Sequence, residues 1–282
     1  MTLQTELINK KEWDILFVID ACRYDYFKKY YKDILGDKGK LTKAISPASW
    51  TIGWLYETFK EPFKDTVVVS GDRIIRSGGV DPEKLRDISK RLRYCHNRFN
   101  AGDFFKKIID GWKYGDDKEI WRGEVEGTSH PKYIVMEVEQ AIKDYPKNKI
   151  LVFFWQVHDP YFLYAKETKD LKIKSFKYSN LRKVLYEIFG YEIIWTILHK
   201  FNQPPESWHM YIWTKYGRQG IIDGYVHDLK LVLGYIKKIV DNNPEKKIVI
   251  TGDHGERLGE NGRYTHGGKR TKIIKEVPWY EV

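Results

Sequence analysis

Apolar residues along this chain gather in short unbroken runs, separated by longer stretches of helical spacing. Four runs, Ile15–Ile19, Thr66–Ser70, Ile150–Trp155 and Lys247–Thr251, are rich in β-branched and aromatic residues and predict buried strands. Their nearly continuous apolar character suits a parallel sheet covered on both faces, since a strand with one wet face would alternate. Val226, Leu229, Val232, Leu233, Ile236, Ile239 and Val240 recur at intervals of three and four and predict one face of a helix. Met136, Val138, Ala141 and Ile142 repeat that signal more weakly before the third strand, and Ile52–Phe59 predicts another helix. Strand alternating with helix predicts a doubly wound α/β sheet.

Polar residues stand at the carboxyl ends of three of these strands. Asp20 follows the first, Gln156-Val157-His158-Asp159 the third, and Gly252-Asp253-His254 the fourth. Ligands of open α/β sheets bind at that edge, so the three groups are expected to converge. No internal repeat or Pro/Gly/Ser linker divides the chain, which predicts a single domain over 1–282. Residues 162–222 are rich in aromatics and lysine, with Pro204-Pro205 as a breaker, and predict a helical insertion or lid over the active edge.

Composition narrows the class of protein without naming it. With 282 residues, 42% of them hydrophobic, the chain can bury a substantial core. The net charge of +10 favours anionic partners, but the lysines are scattered, so nucleic acid is the less favoured of these. Cys22 and Cys95 have no paired spacing, which argues against a disulfide scaffold. Met1 to Lys11 has no apolar signal core, and no run approaches the roughly 20 apolar residues of a membrane helix. The expected compartment is the reducing cytoplasm.

Three segments offer chemistry. Thr251-Gly252-Asp253-His254-Gly255-Glu256, followed by Tyr264-Thr265-His266-Gly267, combines oxygen and nitrogen ligands at one strand end. A polar turn capped by Asp253 is the plain structural alternative. Asp20 emerges from a wholly apolar strand and requires a metal, a cation or backbone donors; Arg23 could neutralise it or contact an anionic substrate. Ser46-Pro47-Ala48-Ser49-Trp50-Thr51 is either an ordinary helix cap or a hydroxyl placed where helix N–H groups favour an anion.

In this order along nearly the whole chain, these segments resemble the alkaline phosphatase superfamily, specifically its sulfatase-like archaeal proteins. Gln156-Val157-His158-Asp159-Pro160-Tyr161 and the closing Val277-Pro278-Trp279 extend the resemblance. It implies a three-layer α/β/α sandwich with a mostly parallel central sheet. It also implies a divalent metal ion (Zn, Mn, Mg or Ca) held by Asp20, Thr51, Asp253 and His254 with His266 nearby, Thr51 as nucleophile, and His158 with Arg23 facing the substrate. His158 and His266 would either complete a second metal site or grip the anionic oxygens.

Three departures from the family pattern bear on this. Neither Cys22 nor Cys95 lies in Cys-x-Pro-x-Arg, which argues against a formylglycine sulfatase. Phe154 and Gln156 stand where two-metal relatives carry a carboxylate, leaving the second site open, and Ile52-Gly53-Trp54 after Thr51 keeps Ser49 as an alternative nucleophile. His96, His130, His199, His209 and His227 are expected to be structural. The resulting expectation is a metal-dependent hydrolase or transferase of phosphate mono- or diesters, with sulfate esters less favoured. A non-catalytic member binding an anionic ligand or partner is the alternative, and the positive charge adds nuclease or nucleotide phosphodiesterase activity as a third.

Overall fold

Ile15, Phe17 and Ile19 leave their strand on one side and Leu16 and Val18 on the other, because strand side chains alternate with period two. All five are fully buried, so helices must cover both faces. The computed structural model describes residues 2–72, 74–77, 101–116, 129–168, 171, 180–266 and 270–282. Its principal elements are β1 (Thr2–Leu3), α1 (Gln4–Lys10), β2 (Ile15–Ile19), α2 (Tyr24–Leu35), β3 (Lys40–Ile45), α3 (Thr51–Thr58), β4 (Phe63–Ser70) and β5 (Phe105–Ile109). There follow α4 (Pro131–Asp144), β6 (Lys149–Phe154), α5 (Asn180–Phe189), α6 (Tyr191–Lys200), α7 (Trp208–Asn242), β7 (Ile248–Gly252), β8 (Arg257–Leu258), β9 (Tyr264–Thr265) and β10 (Glu276–Glu281).

Eight strands form one sheet in the order β1-β3-β10-β7-β2-β6-β4-β5, parallel throughout except for β10. Ile15, Phe17, Ile19, Val152 and Ile250 pack under α2, α4 and the second half of α7. Leu16, Val18, Leu151, Phe153 and Val249 pack under α1 and α3, around Trp54. The result is a three-layer α/β/α arrangement with a mostly parallel sheet, as expected.

The four expected strands all form, the first with the expected bounds and the others with ends displaced by up to three residues. β3, β5 and β10 were not expected, and their sequences show why. Lys-Leu-Thr-Lys-Ala-Ile and Phe-Lys-Lys-Ile-Ile are too polar to read as buried runs, and β10 contains Pro278. A proline normally bars a strand from a sheet interior. Here the ladder with β7 covers only residues 279–281, starting at Trp279 opposite Thr251, so the missing N–H falls outside it.

Two helices need correcting. Met136 is 60% exposed, and the buried stripe of α4 is Ile134, Val135, Val138 and Ala141. The helix read from Val226 begins at Trp208, with a break where Gly217 takes φ 67°, so His227 lies inside it and not at its start. Among the described residues no helix is long and apolar enough to cross a membrane. Cys22 is buried, while Cys95 and His96 lie outside the described residues.

Gln4 ties three of these elements together. Its amide donates to Thr251 Oγ1 at 2.7 Å and to the Gly252 carbonyl at 2.6 Å, and its oxygen accepts from Trp54 Nε1 at 2.7 Å. The side chain is fully buried, so truncation strands several polar groups. Gln4→Ala is expected to lower unfolding free energy by about 2–4 kcal/mol in urea titration.

Candidate metal centre

β2 and β7 are neighbours with Ile19 opposite Gly252, so the residues that follow them leave the sheet at one place. Asp20 and Asp253 are those residues. The chains approach so closely that a Cβ on Gly252 would lie 2.7 Å from the Cys22 carbonyl oxygen, which explains the glycine. Ala21 adopts φ 58°, turning its N–H to donate to Asp253 Oδ1 at 3.0 Å. The His254 N–H donates to the same oxygen at 2.7 Å. Thr51, in the first turn of α3, is 7% exposed, and its hydroxyl lies close enough to the Asp253 carboxylate to work against the rise in its pKa. Ser46, also in the hydroxyl-rich segment, hydrogen-bonds to the Asp253 carbonyl, while Ser49 is only half-buried.

These bonds leave three buried atoms unpaired: Asp20 Oδ1, Asp253 Oδ2 and His254 Nε2. His254 Nε2 stands 3.4 Å from each of the two carboxylate oxygens. His254 Nδ1 lies 3.0 Å from the Gly255 carbonyl and must donate its proton there, so Nε2 presents a bare lone pair. Two carboxylate oxygens and a lone pair facing each other out of water are unfavourable without a cation between them. The spacing suits one, because two ligands each ~2.1 Å from a tetrahedral ion stand about 3.4 Å apart. The titration behaviour has the same cause. Burial, with the neighbouring Asp253 charge, holds Asp20 well above the usual carboxylate range; burial pushes Asp253 up to about 6 and His254 well below its ordinary value.

A second group adjoins the first. His158, Glu256 and His266 bring donor atoms within 4.8 Å of one another. His266 Nδ1 is 3.1 Å from Glu256 Oε2, and its ring centroid is 5.3 Å from that of His158 and 4.4 Å from that of His254. Glu256 is buried, whereas the side chains of His158 and His266 are 21% and 24% exposed, so this group is the more open of the two. Thr265, a β-branched residue, is held at φ 64° immediately before His266.

Asp20, Thr51, Asp253 and His254 therefore come together as expected. His266 stands with Glu256 and His158 in the adjoining group, the arrangement in which His158 and His266 were expected to share a second site. Glu256 had no assigned role, although its place two residues after His254 was the available signal. Arg23 also needs correcting. It is 4% exposed, and its guanidinium holds Asp25 through two bonds of 2.9 and 2.6 Å, Glu260 at 2.6 Å and the Glu256 carbonyl at 3.1 Å. Those four bonds pair the guanidinium with two carboxylates and a carbonyl, and none of them is to Asp20.

His209, expected to be structural, is buried in a polar group. Its Nδ1 is 3.3 Å from Asp159 Oδ2, whose other oxygen lies 3.0 Å from His158 Nδ1, and its Nε2 is 3.2 Å from the Tyr161 hydroxyl. Burial opposes charge on both imidazoles, yet the shared Asp159 carboxylate raises both above their ordinary values. His130 caps α4 by accepting from the Lys132 N–H, as a structural histidine would. Gly267 lies outside the described residues.

No family model matches the chain, and no curated protein matches it in sequence. Solved structures do match. The phosphonate monoester hydrolase of Agrobacterium radiobacter aligns with 96% of this chain and 68% of its own, at TM-score 0.53 and 14% identity. The integral membrane protein lipooligosaccharide phosphoethanolamine transferase A from Neisseria meningitidis aligns with 96% of this chain and 48% of its own, at TM-score 0.53 and 13% identity. The fold is of the alkaline phosphatase/sulfatase type. This chain spans about half the length of the Neisseria transferase. Within an alkaline phosphatase/sulfatase-type sheet, the cluster described above lies at the carboxyl edge of β2, β6 and β7, where open α/β sheets bind ligands.

Proposed function

We propose that this chain is a metal-dependent hydrolase or transferase of phosphate mono- or diesters, with Thr51 as nucleophile and Asp20, Thr51, Asp253 and His254 around one divalent ion. The observation that carries this reading is the convergence of three unpaired buried donor atoms, with the Thr51 hydroxyl beside the carboxylate that supplies one of them. Two carboxylates, an imidazole and an alcohol suit Zn²⁺ or Mn²⁺ better than Ca²⁺.

A divalent ion there supplies positive charge that lowers the alcohol's pKa and offsets charge on the transferring group. The Thr51 hydroxyl lies beside the Asp253 carboxylate, which places Oγ at the cluster. In the first half-reaction the Thr51 Oγ–P bond forms while the bond from phosphorus to the leaving oxygen breaks, and the departing alcohol takes up a proton. Water, or an acceptor alcohol, then attacks phosphorus and releases Thr51. Glu256 among His158 and His266 favours a second cation over direct contact with an anion, because a carboxylate would repel the substrate's oxygens. With Thr51 at the nucleophile position and no formylglycine motif, phosphate is preferred to sulfate.

The test is removal and return of metal. Chelator-stripped protein is expected to lose turnover of chromogenic phosphate esters by at least about a hundredfold and to regain it with Zn²⁺ or Mn²⁺. Sulfate esters should be slower under every metal. Full turnover by protein shown to be metal-free would overturn the proposal, and metal uptake with no turnover on any ester would leave only the binding reading.

A further inference from the structure

Six of the ten exposed large apolar side chains among the described residues lie on one helical hairpin: Val184, Ile188 and Phe189 of α5, Ile193 and Ile197 of α6, and Phe201 at its end. Their exposures run from 46% to 73%. Ile193, Ile197 and Phe201 follow at intervals of four, as do Val184 and Ile188, so each helix carries a stripe. The opposite face of α6 is already occupied: Trp195 packs on Tyr264 and Trp213 at 4.8 and 5.9 Å between ring centroids, and Tyr191 packs on Tyr186 at 4.6 Å. A helix apolar on both sides is satisfied only when both are covered, and a cluster of this kind marks an interaction surface.

We propose that the outer face of the α5–α6 hairpin docks on an anionic lipid bilayer. Charge decides the occupant. The chain carries +10, and the sequence just ahead of and entering the hairpin, 166–183, holds seven Lys and Arg against two Asp and Glu. A second copy would bring the same positive charge to the same face, whereas an anionic bilayer complements it. Of the hairpin's own acids, Glu192 accepts from the Tyr264 hydroxyl at 2.6 Å, leaving Glu187 as the exposed one. Large aliphatic and aromatic side chains projecting from a short amphipathic helix of a basic chain are what an interfacial helix inserts between headgroups. The docked face lies on the far side of α6 from Tyr264, two residues before His266, so docking would hold the metal centre beside the membrane surface.

Flotation of the full chain with phosphatidylcholine vesicles, with and without phosphatidylglycerol, tests this independently of catalysis. The chain is expected to float with the anionic vesicles, less so at high salt. A triple variant, Ile193→Ser, Ile197→Ser and Phe201→Ser, is expected to lose at least about a hundredfold in partition. Its thermal midpoint and near-ultraviolet dichroism should match the parent, since these side chains face outward. Parent protein left in solution with both vesicle types, or a triple variant that floats as well as the parent, would overturn the proposal. So would light scattering that shows a dimer formed by the parent and lost in the variant, which would assign the face to a second copy.

Discussion

Thr51→Ala is expected to lower turnover of a chromogenic phosphate ester by at least about a thousandfold while leaving the fold intact. The substitution removes the hydroxyl and one methyl group. Thr51 begins α3 without capping it, because the N-cap is Trp50 and no side-chain bond serves that end. Thr51→Ser should keep turnover within about tenfold, since serine restores the alcohol at the same carbon. The discriminating measurement is a quenched reaction with labelled ester. Parent and serine variant should retain label on the protein after rapid acid quench, and the alanine variant should not. Alanine protein that turns over normally would transfer the role to another group, and Ser49 would then be the first to test.

Asp253→Asn is expected to remove both metal uptake and turnover, and to change how stability depends on pH in the metal-free protein. The amide deletes one of the two carboxylates facing His254 Nε2 and weakens the site for any divalent ion. In metal-free protein the carboxyl of Asp253, ordinarily near 3.8, is pushed up to about 6 by burial. A group whose folded pKa is raised contributes stability below its unfolded value and loses it as pH rises through the folded one. From this group metal-free parent protein should therefore weaken by about 3 kcal/mol between roughly pH 4 and 6. The asparagine variant, with no proton to release, should lack that step, and metal should stabilise the parent but not the variant. Urea titrations across this pH range, with and without metal, measure all four arms. Identical pH profiles for the two metal-free proteins would contradict the buried, charge-facing environment.

Parts of this site were legible in the primary structure. Ile15–Ile19 and Lys247–Thr251 announce their burial through local composition, because a strand covered on both faces needs apolar residues at nearly every position. A charged residue directly after such a run, Asp20 or Asp253, is therefore placed at a sheet edge by the run itself. Other elements gave no such signal. β10 reads as a proline-containing, glutamate-flanked segment, and only its place beside β3 and a shortened ladder with β7 makes it a strand.

Apolar runs and the polar residues that end them point, without coordinates, to the layered sheet and to the convergence of Asp20, Asp253 and His254, and the resemblance of the motifs adds Thr51 to them. Partner choice among the remaining polar groups was settled only by folding. Arg23 had two plausible uses until Asp25, Glu260 and the Glu256 carbonyl were brought around its guanidinium. His209 acquired a carboxylate from Asp159, fifty residues earlier, and Glu256 acquired His158 and His266. Burial of a strand depends on its own composition, whereas the partner of a charged side chain depends on which distant segments pack against it, and short-range pattern carries no record of that.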